Sequence, residues 1–480
     1  MGEDSTSAVT LVVASAGTGL VLLVFANVVT TVAPTISELG GGTAGETWAL
    51  GGMSLGLATM LLSLGAVADD HGRRRVFLFS SVALAAASVL AAIASGIGVF
   101  VAARVLQGGA GAGIVASSLG TIGHAFPDGP ARTRATGVWG AAVGAGTALG
   151  PLIGAALASI GGWRAGYWFQ AAAAASLVPA GLLLVETRAA SARRVDLAGA
   201  TLFGSAMACL LAGLTLGRAD WGRLSTIAAL VASGILLAGF VAVEQRREEP
   251  MIELSLFRRP LFLASESGAL FVGLAIVAVV SFLPTFLQRA LHDSTLTSAW
   301  ILALFSVTGT IVAFQGRRLP DSLDSGRRVA LGFLCGAIGL AASSGLSPHS
   351  GWVRLAPGLI LLGAGYGLTN ASLGRLAVES VPLGRAGMGS GANNTARYVG
   401  GAAGVAVVAA LLAAGDNRQG AAGLAHGWNL ASAVAAVLCL IGAGTALACR
   451  RLTLIQPAPA PANRADLCVD PPGPSPRSGA

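Results

Sequence analysis

Apolar residues run along this chain in blocks of about twenty, each closed by a short polar or basic stretch. That is the length one α-helix needs to cross the hydrocarbon core of a bilayer. Fourteen blocks can be marked. The first eight are Val9–Val32, Thr47–Val67, Val76–Ser95, Val99–Ile122, Ala135–Ser159, Tyr167–Val185, Leu197–Leu216 and Ile227–Val243. Six more follow, from Leu261–Leu287 and Thr297–Phe314 to Gly389–Ala413 and Trp428–Ala448. The expected class is therefore an all-α polytopic membrane protein with fourteen transmembrane helices.

Composition sharpens this picture. Only 11% of the 480 residues are charged, where a soluble domain carries about 25%. A charge at mid-bilayer costs about 2.5 to 3.5 kcal/mol on the insertion scale, which accounts for the deficit. Sixty-eight glycines suit close helix packing. The net charge of +8 does not point to nucleic acid, because every basic residue is Arg and most sit in short clusters between apolar blocks. With the N-terminus inside, 20 arginines fall on the cytoplasmic side and six on the other: Arg164, Arg218, Arg223, Arg289, Arg354 and Arg418. Arg104 and Arg397 lie inside blocks, and Arg464 and Arg477 in the distal tail. This bias predicts a multi-pass protein of the cell's inner (plasma) membrane with both termini cytoplasmic.

The five cysteines fall in blocks or the tail, and the five histidines in loops or at block ends. Neither set suggests a metal site, a cofactor or a buried catalytic cluster, so no enzyme is expected. No phosphate-binding loop of the Walker type is present, which leaves direct ATP drive unsupported.

The chain repeats itself. Asp70-His-Gly-Arg-Arg returns as Asp324-Ser-Gly-Arg-Arg, 254 residues later, and the ladder Gly109, Gly111, Gly113 returns as Gly363, Gly365, Gly367 at the same offset. Both loops fall on the same side, so the repeat is parallel. The organisation this implies is a six-helix bundle at 1–190, two linking helices at 191–245 and a second six-helix bundle at 246–451. A Pro-rich tail at 452–480 cannot bury apolar surface and is expected to be disordered.

Several stretches are specific enough to resemble a family. Gly65-Ala-Val-Ala-Asp69-Asp-His-Gly72-Arg73-Arg74-Arg75 is similar to the loop signature of the major facilitator superfamily. Arg104-Val-Leu-Gln107-Gly108 looks like its membrane-arginine motif, and Gly146-Thr-Ala-Leu-Gly150-Pro151-Leu-Ile-Gly154 like its antiporter motif. The segment from Glu244 to Arg258, together with Pro382, Gly387, Asn394, Arg397, Gly400 and Gly401, resembles the fourteen-helix drug:proton antiporter branch. The resemblance implies secondary-active export of small amphipathic molecules, coupled to protons, by alternating access of two bundles facing a central cavity. An uptake permease or facilitator of the same fold is the first competing expectation and a membrane-embedded enzyme the second, and a monomer would suffice.

Physical roles can be assigned to these residues. Asp69, Gly72, Arg73 and Arg74 combine a carboxylate, a tight turn and a basic cluster, which can form a breakable latch or a plain positive-inside anchor. Arg104, with Gln107 and Gly108 beside it, needs a partner, a wet cavity or a route to the interface; the resemblance implies a part in proton transfer. Gly146, Gly150 and Gly154 share one helix face as a seam for close contact, and Pro151 permits a bend. The branch usually presents an Asp in its first helix, where this chain has Phe25, and Asn27 is the nearest polar residue. Glu266 is the one carboxylate clearly within a block, and protonation would remove its charge. It is the candidate for coupling, with Arg104, Gln107 and Gly108; Glu38 and Glu46, at the outer ends of the first two blocks, are the weaker alternatives. Asn27, Asn394 and Arg397 are candidates for the cavity.

Overall fold

The computed structural model describes residues 3–126, 130–188, 197–217, 222–247, 254–315, 323–347, 350–381, 386–416 and 420–455. The first part of the chain forms α1 (Glu3–Leu39), α2 (Gly42–His71), α3 (Arg73–Ala92), α4 (Ile97–Ala125) and α5 (Pro130–Gly181). Then come α6 (Leu197–Gly217) and α7 (Leu224–Glu244). The remainder holds α8 (Pro260–Phe271), a π-helical turn (Val272–Val277), α9 (Ala278–Ala290), α10 (Thr295–Gln315), α11 (Ser325–Ala342), α12 (Ala356–Glu379), α13 (Ala386–Asp416) and α14 (Ala421–Ile455).

Local sequence sets several boundaries. Gly72 separates α2 from α3 at φ 112, a backbone region that disfavours any Cβ. α8 starts on Pro260, whose fixed φ and missing N–H suit a first helical position. α5 breaks at Gly161 and Gly162, the latter at φ 70. The apolar part of α5 runs over 45 residues, about 68 Å of helix, roughly twice a 30 Å core, so it makes two crossings. The break falls between the two expected blocks, Ala135–Ser159 and Tyr167–Val185.

Among the described residues, nine helices are long and apolar enough to cross a membrane, and α2 adds a tenth, bent by 47°. Pro260–Ala290, with its π turn, is one continuous crossing. With α5 crossing twice, and with α6, α11 and α12, which are shorter or more polar, the helices accommodate the fourteen expected spans. The outer surface carries bare apolar side chains such as Phe79, Ile160, Val231 and Ile235, as lipid contact requires.

Packing follows the repeat. In the first bundle α1 lies on α5, α2 on α4, and α3 on α4 and α5. In the second the π turn lies on α13, α10 on α12, and α11 on α12 and α14. The bundles meet along α2 against α13, α5 against α10 and α1 against α9. α6 pairs with α7 and also packs on α2 and α13. Its Ala208 and Leu214 pack with Leu55 and Ala402, so it lies over the line where those two helices touch. The division expected near 190 and 191 lies outside the described residues. So does the tail from 456, while α14 continues helically to Ile455.

Candidate functional site

Two faces of the molecule can be named by their chemistry. The basic face carries the turn at Asp69–Arg75 and its counterpart at Asp324–Arg328; the opposite face carries the turns α1–α2 and α9–α10.

On the basic face, Arg73 donates through Nε and Nη2 to Asp69 Oδ1, at 2.9 and 2.7 Å, and through Nη1 to the Gly120 carbonyl at 2.8 Å. The Arg74 N–H donates to Glu186 Oε1, and Arg75 lies 3.8 Å from Glu186 Oε2. A Cβ at Gly72 would overlap that carboxylate, a second reason for glycine there. The expected latch residues are thus brought together, and they tie α2, α3, α4 and the end of α5 within one bundle. Glu186 was not singled out from sequence, because an isolated Glu after an apolar block carries no local signal.

The second bundle repeats the device with the charges exchanged. Asp324 caps α11 by accepting from the Arg327 N–H at 2.9 Å and accepts from Arg450 Nε of α14 at 2.6 Å. Partial burial pushes the Asp324 carboxyl up, but the hydrogen bonds and charges of Arg450 and Arg327 outweigh it and hold it below its ordinary value. A depressed folded value contributes stability that is present above the unfolded value and lost as pH falls through the folded one. Asp324→Asn is therefore expected to unfold more readily than wild type at pH 7. The two should converge once the pH has fallen through the folded value, where the wild-type carboxyl is also uncharged. Acid titration of detergent-solubilised protein by circular dichroism checks this.

Arg104 does not reach an interface or a cavity; it is wholly buried inside the first bundle. Its guanidinium donates to backbone carbonyls of Val24 (3.1 Å), Phe25 (3.3 Å) and Ala49 (3.4 Å), and to Gln107 Oε1 at 2.8 Å. Gln107 passes the chain on to Ser88 Oγ and Gln170 Oε1. Backbone oxygens, rather than a carboxylate, satisfy this buried cation. The arrangement depends on α2 and α4 touching backbone to backbone: a Cβ on Gly56 would overlap the Val105 carbonyl, and one on Gly108 the Met53 carbonyl.

Gly146, Gly150 and Gly154 face α1, where added Cβ atoms would meet the Gly19 carbonyl, the Leu23 carbonyl and Asn27 Oδ1. The seam is thus a contact within the first bundle. Pro151 keeps helical geometry, and the break in α5 comes ten residues later at Gly161–Gly162. The Pro151 carbonyl accepts from Thr30 Oγ1 at 3.1 Å.

Between the bundles lies a cavity of about 850 Å³, its open mouth included. Phe25, Val29 and Pro151 line it from one side and Val280, Phe305, Tyr366, Asn370, Arg397 and Tyr398 from the other. The walls are mostly apolar, and Arg397 is the sole charged residue in the lining. Arg397 Nε and Asn370 Oδ1 are buried without hydrogen-bond partners. Of the three cavity candidates only Arg397 is in place. Asn27 packs against Gly154 and Gly166, and Asn394 donates to the Ser390 carbonyl on its own helix. Phe25, noted for what it replaces, is itself a cavity wall, its ring 6.0 Å from that of Tyr398.

Glu266 lies outside the cavity lining and is linked to it through hydrogen bonds. Ser265 Oγ donates to Glu266 Oε1 at 3.3 Å; Asn393 Nδ2 donates to Ser265 Oγ and its carbonyl, both at 3.0 Å; Arg397 Nη2 donates to Asn393 Oδ1 at 2.9 Å. A polar chain therefore runs from the one carboxylate of α8 to the charged wall of the cavity.

Two inward-facing bundles with related packing, an apolar cavity between them and a linking helix pair define a secondary transporter. Residues 14–405 match the family model of the Major Facilitator Superfamily, and the chain belongs to that family. Among its relatives are the multidrug resistance protein Stp of Mycobacterium tuberculosis (30% identity, 78% of this chain and 70% of that one) and the tetracenomycin C resistance and export protein of Streptomyces glaucescens (31%, 76% and 68%). A probable actinorhodin transporter of Streptomyces coelicolor is 32% identical over 82% of this chain and 71% of its own. These relatives place the chain among the drug-efflux transporters of the superfamily. The fold matches that of the human organic anion transporter MFSD10 with a TM-score of 0.64 at 19% identity, covering 92% of this chain and 99% of that one.

Proposed function

We propose that the chain exports small amphipathic drugs or natural products from the cell by proton antiport, with the central cavity alternating between the two sides of the plasma membrane. The observation that carries this reading is the apolar cavity with two unspent polar groups, Arg397 Nε and Asn370 Oδ1, between bundles that meet along only a few helices. An aromatic ligand with one hydrogen-bond acceptor and one donor fits that lining. The lone positive charge disfavours multivalent cations. The related exporters named for tetracenomycin and actinorhodin support the class of cargo.

The arginine bias puts the basic face in the cytoplasm, and both termini with it. The moving bodies are the bundles at 1–190 and 246–451, carrying the helix pair 191–245 between them and the tail 452–480 on the cytoplasmic side, in a unit that works as a monomer among membrane lipids. Glu266 is the coupling group. Ionised, it balances Arg397 through Ser265 and Asn393; protonated, it leaves Arg397 free to repack against the cavity. Arg104, Gln107 and Gly108 hold the cavity-lining stretch of α1 in register, the glycine seam with Pro151 keeps α5 beside it, and Asp69, Gly72, Arg73 and Arg74 stiffen the cytoplasmic end. Asn27 and Asn394 serve the packing of α1 and α13.

The test is flux of labelled aromatic drugs in inverted vesicles under an imposed pH gradient. Accumulation that collapses with a protonophore is expected in wild type, with at least a tenfold loss of pH-driven flux in Glu266→Gln. A Glu266→Gln variant with unchanged flux and pH dependence would remove coupling from this residue.

A further inference from the structure

One turn of α9 reaches across to the first bundle at the face opposite the basic loops. Thr285 Oγ1 donates to Glu46 Oε1 of α2 at 2.8 Å, and Arg289 Nη1 lies 3.2 Å from Glu46 Oε2. From the same turn Gln288 Nε2 donates to the Thr30 carbonyl of α1 at 3.1 Å. The Glu46 side chain is only 1% exposed, while Arg289 is 38% exposed and open to solvent. These three polar contacts join the two bundles. On the basic face, the Asp69–Arg73, Glu186–Arg75 and Asp324–Arg450 pairs each stay within one bundle.

We infer that this turn is the outer gate clasp: Glu46 is its receptor, Thr285, Gln288 and Arg289 are its prongs, and its rupture opens the exit to the outside. The inference rests on the alternating-access reading above and adds the residues that position one of its two states. A carboxylate buried this completely cannot lose its partners singly without leaving a desolvated charge. The clasp therefore holds until the bundles part and water reaches Glu46, which makes its release a single step. Thr30 widens the grip, because its hydroxyl holds the Pro151 carbonyl while its own carbonyl accepts from Gln288. One turn of α9 thus bears on α1, α2 and α5 together.

The same helix connects the clasp to the cavity. Val277, Val280 and Ser281 line the cavity, and Thr285 sits one turn above Ser281. Pro284 lies between them and withholds the N–H that would bond the Val280 carbonyl, a soft point directly below the prongs. The π turn at Val272–Val277 supplies a second irregularity under the cavity-lining stretch. A molecule seated against Val280 and Ser281 can tilt the outer end of α9 and load the clasp from within.

The test uses full-length protein, with its cysteines replaced and spin labels at Ser37→Cys on α1 and Leu296→Cys on α10, in proteoliposomes. Pulsed electron paramagnetic resonance then reads the distance across the outer face. Wild type is expected to give one short distance. Glu46→Gln and Arg289→Gln should each raise the ratio of long to short distances at least tenfold, and Glu46→Asp should raise it less. Arg289 is half-exposed, so its variant keeps the test alive should Glu46→Gln fail to fold. Distances unchanged in folded Glu46→Gln or Arg289→Gln would overturn the clasp. Export measured in the same vesicles separates the two readings: a wild type that moves no drug refutes the efflux assignment whatever the distances show.

Discussion

Gly108→Ala is expected to abolish the accumulation of folded protein, although it adds a single methyl group. The added carbon would overlap the Met53 carbonyl and press on Leu57 N and the Gly56 α-carbon of α2, all of them backbone atoms that no rotamer change can move. Relief requires α2 and α4 to separate. Overpacking a tight core costs about 1 to 3 kcal/mol when side chains can yield, and here the neighbours are main chain, so the cost belongs at or above the top of that range. Separation would also pull the Ala49 carbonyl away from Arg104 Nε. The measurement is the monodisperse peak in detergent size-exclusion chromatography. Gly140→Ala and Gly123→Ala are the matched controls, since a Cβ at either position meets nothing within 4 Å, and both should match wild type. A normal Gly108→Ala peak would mean that the helices do not cross backbone to backbone.

Arg104→Met is expected to do the reverse, leaving a folded protein that exports at least tenfold less. Removing a desolvated charge and filling its space with an apolar chain is often close to neutral for stability. The clear debit is Gln107 Oε1, left without its donor, at about 1 to 3 kcal/mol. The carbonyls of Val24 and Phe25 lie in the middle of α1, so helix bonds remain open to them. Transport suffers because Arg104 pins the part of α1 that carries Leu22, Phe25 and Ala26 to the cavity wall. Thermal unfolding and vesicle flux, measured on one preparation, separate the two effects. A variant that unfolds outright would make Arg104 a structural post; one that folds and transports normally would remove it from the mechanism. Arg104→Lys should recover little, because one ammonium cannot span the carbonyls on α1 and α2 together with Gln107.

The length of apolar blocks disclosed the helices, since a bilayer leaves few alternatives. The glycine seam facing α1 was legible for a similar reason: residues four apart share a helix face whatever the surroundings. Pairings across the molecule were not legible. Glu46 could be placed at the end of a block, but nothing near Arg289 in sequence marks it as the partner, because that encounter depends on how two bundles dock. The surroundings of Arg104 were hidden for another reason. An arginine within an apolar block calls for acceptors, and backbone carbonyls leave no trace in a sequence. The π turn was equally silent, since Val272–Val277 reads as uninterrupted apolar residues. Asn27 and Asn394 show the converse: polarity within a span suggested a ligand, and here both amides lie outside the cavity lining, against Gly154 and the Ser390 carbonyl.

The placement of α6 makes the two flanks of the molecule unlike. The bundles present two lateral joints to the surrounding lipid, α2 with α13 and α5 with α10. α6 roofs the first joint, with α7 backing it. Among the described residues no helix roofs the second joint, where a Cβ on Gly144 would lie 3.1 Å from Thr310 Oγ1. The two flanks therefore present different surfaces to lipid, one a joint covered by helices and the other a joint between α5 and α10 alone. The two linking helices, outside the repeat altogether, are what breaks the likeness between the two flanks.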